Sequence, residues 1–217
     1  MNTETIKYKK LIIEIGKKLY AKGYCDGTSG NISQKIDEGC LVTASGTNLG
    51  NLNSEDIVYV PFKEVPRTRF HKKPTSELFM HVALYMKRPE IDSIVHAHPH
   101  YCTAFGVARV NLNPPLLPEV LIQLGEIPLV EYAMPSTEEL AYKIAAQAGS
   151  SNGLLMANHG AVTLGKNLEE AYYRMETLES YAQIVFLAKQ LGRVCHISDE
   201  EMEKLATLKL KTIKGGK

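Results

Sequence analysis

Apolar side chains recur with two different spacings along this 217-residue chain, and the spacings mark out its elements. Ile6, Leu11, Ile12, Ile15 and Leu19 fall on one face of a helical period, so residues 4–22 are predicted as an amphipathic helix that stops before Gly23. The same reasoning predicts helices from Thr75-Ser76-Glu77 to Met86, over 99–107, from Ser136-Thr137-Glu138-Glu139 to about residue 148, over 167–191, and again from Ser198. Short β-branched or apolar runs at 40–43, 57–62, 91–98, 127–132, 154–157 and 161–164 read as strands. Residues 24–32 are rich in Gly, Ser and Thr and read as a loop entering a strand, and Ala44 to Asn48 reads as a turn. The link Asn158-His159-Gly160 is too short for a parallel crossover, so its flanking strands are expected to pair antiparallel. The expected class is α/β, with a largely antiparallel sheet and helices packed on its faces.

Composition narrows the picture. Hydrophobic residues make up 44% and charged residues 23%, the formal net charge is +1, and there is no internal repeat. A single domain over residues 1–217 with an ordinary core is expected, and a general nucleic-acid or membrane-surface binder is not. The basic end, Lys209 to Lys217, reads as a solvated tail. No apolar run approaches the ~20 residues of a spanning helix, and Met1 to Thr5 lacks a secretory pattern. Cys25, Cys40, Cys102 and Cys195 form no C-x-x-C pair and read as free thiols in a reducing compartment, so the cytoplasm is the expected location.

The chemistry concentrates in a few polar positions. In a strand, alternate residues share a face, so His96 and His98 point the same way and form half of a metal site. His159 is a third candidate ligand and Glu77 an acidic one; three imidazoles and a carboxylate suit Zn²⁺ or a similar divalent ion. Each has an ordinary alternative: a half-buried strand histidine, a turn histidine beside Gly160, a carboxylate favoured by a helix dipole. His81 is read as structural, and His100, beyond Pro99, as a rim residue. Thr75 and Ser76 are either helix caps or hydroxyls of an anion site at a helix N-terminus. Gly30-Asn31 and Ser45-Gly46 are either turns or loops that offer N–H and amide donors to phosphate oxygens.

Taken in order, Gly30-Asn31-Ile32-Ser33, Thr43-Ala44-Ser45-Gly46, Pro74-Thr75-Ser76-Glu77, His96-Ala97-His98 and Asn158-His159-Gly160 resemble the class II aldolase/adducin-head family over residues 5–210. The resemblance implies a three-layer α/β/α sandwich around a mostly antiparallel sheet. It implies one zinc per subunit on His96, His98 and His159, with Glu77 completing the resting coordination and acting as acid/base. It implies a substrate phosphate on Asn31, Ser45, Gly46, Thr75 and Ser76, and a homotetramer with active sites at subunit interfaces. The implied reaction is retro-aldol cleavage of a ketose 1-phosphate, such as L-fuculose 1-phosphate, to dihydroxyacetone phosphate and a small aldehyde. Sister activities in the family are a sugar-phosphate 4-epimerase, which carries Asp where Glu77 stands, and a methylthioribulose-1-phosphate dehydratase, which lacks a Glu at that position. Non-catalytic adducin heads lack the metal histidines, which this chain keeps. Two tyrosines of family aldolases are missing here. One aligns with Glu119, which can act as a proton donor or be a plain surface carboxylate; the other has no match in Leu205 to Leu210.

Overall fold

The computed structural model describes residues 3–64, 70–198, 200–205 and 207; the basic tail Lys209 to Lys217 lies outside the described residues. Its strands are β1 (Asn31–Ile36), β2 (Gly39–Thr43), β3 (Ile57–Pro61), β4 (Ser93–Ala97), β5 (Leu129–Val130), β6 (Gly153–Met156) and β7 (Ala161–Gly165). They form one sheet in the order β3-β2-β1-β4-β7-β6-β5. All pairs are antiparallel except β5–β6. The helices are α1 (Thr3–Ala21), α2 (Leu78–Lys87), α3 (His100–Ala108), α4 (Pro118–Gln123), α5 (Glu138–Ala148) and α6 (Leu168–Leu191). Among the described residues no helix is long and apolar enough to cross a membrane.

The sheet is covered on both sides, and its side chains sort by parity. Leu41, Val95, Leu155 and Ala161 join a core with Ile12, Ile15 and Leu19 of α1, Phe105 of α3, Val120 of α4 and Met175, Leu178 and Tyr181 of α6. Their sequence neighbours Val42, Ile94, Leu154 and Val162 join a second core with Met80 and Leu84 of α2 and Leu140 and Ile144 of α5. The expected three-layer α/β/α sandwich is therefore present, with four helices on one face and two on the other.

Local chemistry sets the boundaries. The first helix ends in a Schellman motif: Tyr24 N–H donates to Leu19 C=O at 3.0 Å and Gly23 N–H to Tyr20 C=O at 3.0 Å, with Gly23 at φ +70°. On α6, Asn167 accepts from Glu170 N–H at 2.8 Å as an N-cap. The start of α3 has no such local cap. Instead the buried Glu179 of α6 reaches across, its two oxygens accepting from Tyr101 N–H and Cys102 N–H at 2.9 Å each. A carboxylate at a helix N-terminus meets both the open N–H groups and the positive end of the dipole.

Two expectations shift and one element is new. The run 127–132 pairs as a strand only at Leu129–Val130, and it pairs parallel, because it reaches β6 from the α4 side and not through a hairpin. Residues 118–123, for which the sequence reading names no element, form α4, started by Pro118 at its first position. The strand predicted over 91–98 ends at Ala97, and His98 follows as a separate position whose N–H donates to Tyr24 C=O at 2.8 Å. The helix expected from Ser198 begins as predicted, with Glu201 N–H donating to the Ser198 hydroxyl at 3.3 Å and helix over 200–205.

Candidate metal centre and anion cradle

The middle of the sheet carries the histidines. β4 is its central strand and delivers His96; His98 lies just past the end of β4; and the β6–β7 turn, with Asn158 at φ +54°, delivers His159. The β4–β7 register sets Ala97 opposite Ala161, so the turn sits directly beside the His96-Ala97-His98 run. Gly160 makes this approach possible: a Cβ there would lie 2.6 Å from His98 Cδ2 and closer still to the Ala97 carbonyl. From the other end, Arg109, the left-handed C-cap of α3, donates to the Asn158 side chain and to Gly106 C=O.

The three rings converge. Centroid separations are 4.9 Å for His96–His98, 4.8 Å for His96–His159 and 5.1 Å for His98–His159. One ligand atom from each lies within 4.8 Å of the others. The Nδ1–H of His96 donates to Ala161 C=O at 2.9 Å, since a carbonyl can only accept. That assignment leaves His96 Nε2 as a bare lone pair, 3.1 Å from His98 Nε2. Burial, then the neighbouring His98 and His159, holds His96 well below the usual imidazole range. Burial and His159 push His98 down to about 4, and burial lowers His159 against the opposing pull of Glu77. All three rings are neutral at pH 7, the state a cation needs.

Glu77 lines the same pocket but stands outside the tight histidine set. It is the residue before α2 and not, as expected, in the first turn, and its side chain caps nothing. Its Oε1 accepts from the Ser136 hydroxyl at 3.1 Å, while Oε2, fully buried, has no partner. His159 Nδ1 is a second buried polar atom without a partner. Unpaired buried groups of this kind are uncommon and mark a place for a ligand. A buried carboxylate oxygen and a buried ring nitrogen without partners, beside two ring nitrogens 3.1 Å apart, fit a divalent cation and its ligands.

Asn31, Ser45, Gly46, Thr75 and Ser76 all line this pocket of about 210 Å³. Two loops are clasped together to make the cradle: Ser45 N–H donates to Lys73 C=O at 2.9 Å and Thr75 N–H to Thr43 C=O at 3.0 Å. Gly46 turns the first loop at φ +74°. The second loop points the N-terminus of α2 at the pocket, and Thr75 accepts from Glu77 N–H at 3.3 Å. Among the described residues no Lys or Arg lines it, so an anion here would meet their neutral donors and a helix dipole.

The structure sets two other candidates apart. Glu119 is exposed on α4 and lines a separate cavity of about 280 Å³ with Glu176, Thr177 and Tyr181. His100 lines a cleft with Lys22 and Tyr24. His81, read as structural, is wholly buried, and burial pushes its pKa down to about 3. Sequence reasoning missed Ser136: it reads as a helix start, yet Thr137 is the cap of α5, and Ser136 sits at φ +67° with its hydroxyl on Glu77. A small polar residue directly before a capping threonine was the available signal.

Comparison with known proteins places the chain in a family. The profile of the Class II Aldolase and Adducin N-terminal domain family matches residues 10–186. The chain is 38% identical over 180 residues to an L-fuculose phosphate aldolase of Methanococcus maripaludis, covering 83% of this chain and 96% of that protein. It is 31% identical over 203 residues to a 3-oxo-tetronate 4-phosphate decarboxylase of Haemophilus influenzae, covering 91% and 95%. A solved L-fuculose 1-phosphate aldolase superposes with a TM-score of 0.86 at 31% identity, over 95% of this chain and 96% of that one. The chain belongs to the class II aldolase and adducin N-terminal domain family, and within it to the carbon–carbon lyases.

Proposed function

We propose that this chain cleaves a ketose 1-phosphate, L-fuculose 1-phosphate or a related deoxy-ketose phosphate, by a zinc-assisted retro-aldol reaction. The products are dihydroxyacetone phosphate and a small aldehyde. The observation that carries the reading is the convergence of three neutral imidazoles beside a buried carboxylate oxygen without a partner, in one pocket with a donor-lined cradle. His96, His98 and His159 would hold the ion, with the fourth position open to Glu77 or substrate, and three-imidazole sets of this kind suit zinc. When bound, zinc supplies Lewis-acid polarisation of the substrate carbonyl.

The remaining work falls to the protein. Asn31, Ser45, Gly46, Thr75 and Ser76 hold the phosphate and so fix the distance of the reacting carbons from Glu77. When the carbon–carbon bond breaks, its electron pair stays on the carbon next to the carbonyl. Glu77, recharged through solvent with the proton that leaves the departing hydroxyl, delivers a proton to that carbon through Oε2, while Ser136 keeps Oε1 in place. The proton of the departing hydroxyl needs a base on the aldehyde side. Glu119 serves if a neighbouring subunit brings its α4 over the pocket, in keeping with the homotetramer and interfacial sites that family resemblance implies. The unpaired thiols Cys25, Cys40, Cys102 and Cys195 fit a cytoplasmic setting.

A second reading is favoured by the decarboxylase relative: loss of carbon dioxide from a 3-oxo sugar-acid phosphate. The same electron pair is left beside the same carbonyl, so the pocket serves both. The test is to incubate metal-loaded protein with a panel of ketose 1-phosphates and with 3-oxo-tetronate 4-phosphate. Dihydroxyacetone phosphate is followed by a coupled reductase and carbon dioxide by a coupled carboxylase. Release of the triose phosphate from at least one ketose, lost on chelation and lost in Glu77→Gln with metal content intact, is expected. Carbon dioxide together with dihydroxyacetone phosphate from the 3-oxo acid, with no triose phosphate from any ketose, supports the second reading, and no product from either substrate class refutes both.

A further inference from the structure

The proposed reaction leaves unused a chain of buried polar side chains between β1 and α2. The Nε2 of His81 lies 2.6 Å from Asn31 Oδ1, and its Nδ1 lies 2.6 Å from Ser33 Oγ. The Ser33 hydroxyl lies 2.7 Å from the Tyr85 hydroxyl. Asn31 and Ser33 are alternate residues of a strand and His81 and Tyr85 are one turn apart on a helix, so the two elements meet at two rungs. Asn31 is the member that also lines the pocket.

The donor inventory gives this chain a direction. A neutral imidazole has one N–H, and an amide oxygen only accepts, so the His81 proton sits on Nε2. Nδ1 must then accept from Ser33, whose single proton is thereby used. Tyr85 therefore donates to Ser33. The chain can be written in reverse only if the Asn31 amide turns over, so that its NH₂ donates to His81, His81 Nδ1–H donates to Ser33 and Ser33 to Tyr85. Tyr85 must then donate to Asp92 C=O at 3.4 Å. Both directions keep the three short bonds and the reverse adds only the long contact; the structure turns Asn31 Oδ1, not its NH₂, to His81 at 2.6 Å, which is the forward direction. The two directions differ at the pocket: one presents the Asn31 NH₂, the other its carbonyl oxygen.

The geometry points to Tyr85, Ser33 and His81 as positioning residues that hold the Asn31 amide with its NH₂ toward the pocket, so that the cradle offers donors and rejects groups that are themselves donors. The ligand class this selects is an oxyanion. The inference rests on the reading of Asn31 as a phosphate contact and adds to it what sets that contact's polarity.

Two measurements on the metal-loaded protein test it. The first is the ¹⁵N spectrum of the His81 ring at pH 7, expected to show the Nε2–H tautomer; the Nδ1–H tautomer overturns the inference. The second is titration with inorganic phosphate. Asn31→Ala is expected to bind it roughly 10- to 100-fold more weakly, and Ser33→Ala and Tyr85→Phe a few-fold more weakly, with metal content unchanged. In the Asn31→Ala background the Ser33 and Tyr85 changes are expected to add less than about twofold, because they act through the missing amide. Equal losses with and without Asn31, or no loss in either variant, overturn the positioning role alone. Failure of the unsubstituted protein to bind phosphate overturns the cradle reading, and the inference with it. Tyr85→Phe, which only removes a hydroxyl, carries the test if Ser33→Ala does not fold.

Discussion

Gly160→Ala is a one-methyl change that should be felt at the metal site. The added Cβ would stand 2.6 Å from His98 Cδ2. Ordinary carbon–carbon contacts lie near 3.5–4.0 Å, so roughly 1 Å must be found. The Ala97 carbonyl on the other side cannot yield, because it belongs to the central strand of a sheet buried on both faces. The shift must come from the His98 ring or from the turn that carries His159. Overpacking of this kind costs about 1–3 kcal/mol, which for a chain of this size lowers the metal-free melting temperature by roughly 2–12 °C. Displacing one of three ligands by about 1 Å should weaken metal binding on the order of 10- to 100-fold. Competition with a chromophoric chelator reads the second effect and thermal denaturation of the chelated protein the first. A Gly160→Ala protein that binds zinc within twofold of the parent and melts with it would refute the claim that the close approach of these two segments shapes the site.

Glu179→Ala should strip one buried and one part-buried N–H group of their acceptor and cost about 1–4 kcal/mol by chemical denaturation; a loss under about 0.5 kcal/mol would show that water replaces the cap. The metal-free protein should lose stability on acidification. His81 has a folded pKa of about 3 against about 6.5 unfolded, so its contribution is whole above pH 6.5 and drains away between pH 6.5 and 3. Denaturant midpoints measured across that window should fall, and should fall less in His81→Asn. Added zinc should raise the melting temperature in a concentration-dependent way that a chelator reverses, and His96→Ala should abolish the effect.

The sheet and most helices were legible because both faces of the sheet are buried and its strands are short, apolar and β-branched. The site was legible where side-chain type and parity decide: His96 and His98 share a face whatever packs around them. What the sequence hid was set by distant partners. Nothing local marks Glu179 as the cap of α3, since the groups it meets are 77 and 78 residues away. Nothing local marks Ser136 as a support for Glu77, 59 residues away, because its neighbours spell a helix start. β5 was overcalled for the opposite reason: residues 127–132 have strand composition, but only two find a partner.

The two halves of the pocket differ in how they are anchored. The imidazoles stand on or beside β4 and β7, interior strands whose amides open only when the whole molecule does, whereas residues 28–30 and 44–46 belong to loops at its border. Slow hydrogen exchange around His96 and fast exchange around Ser45 would register that contrast. Substitutions in those loops should therefore reshape the anion cradle while leaving the arrangement of the three histidines in place.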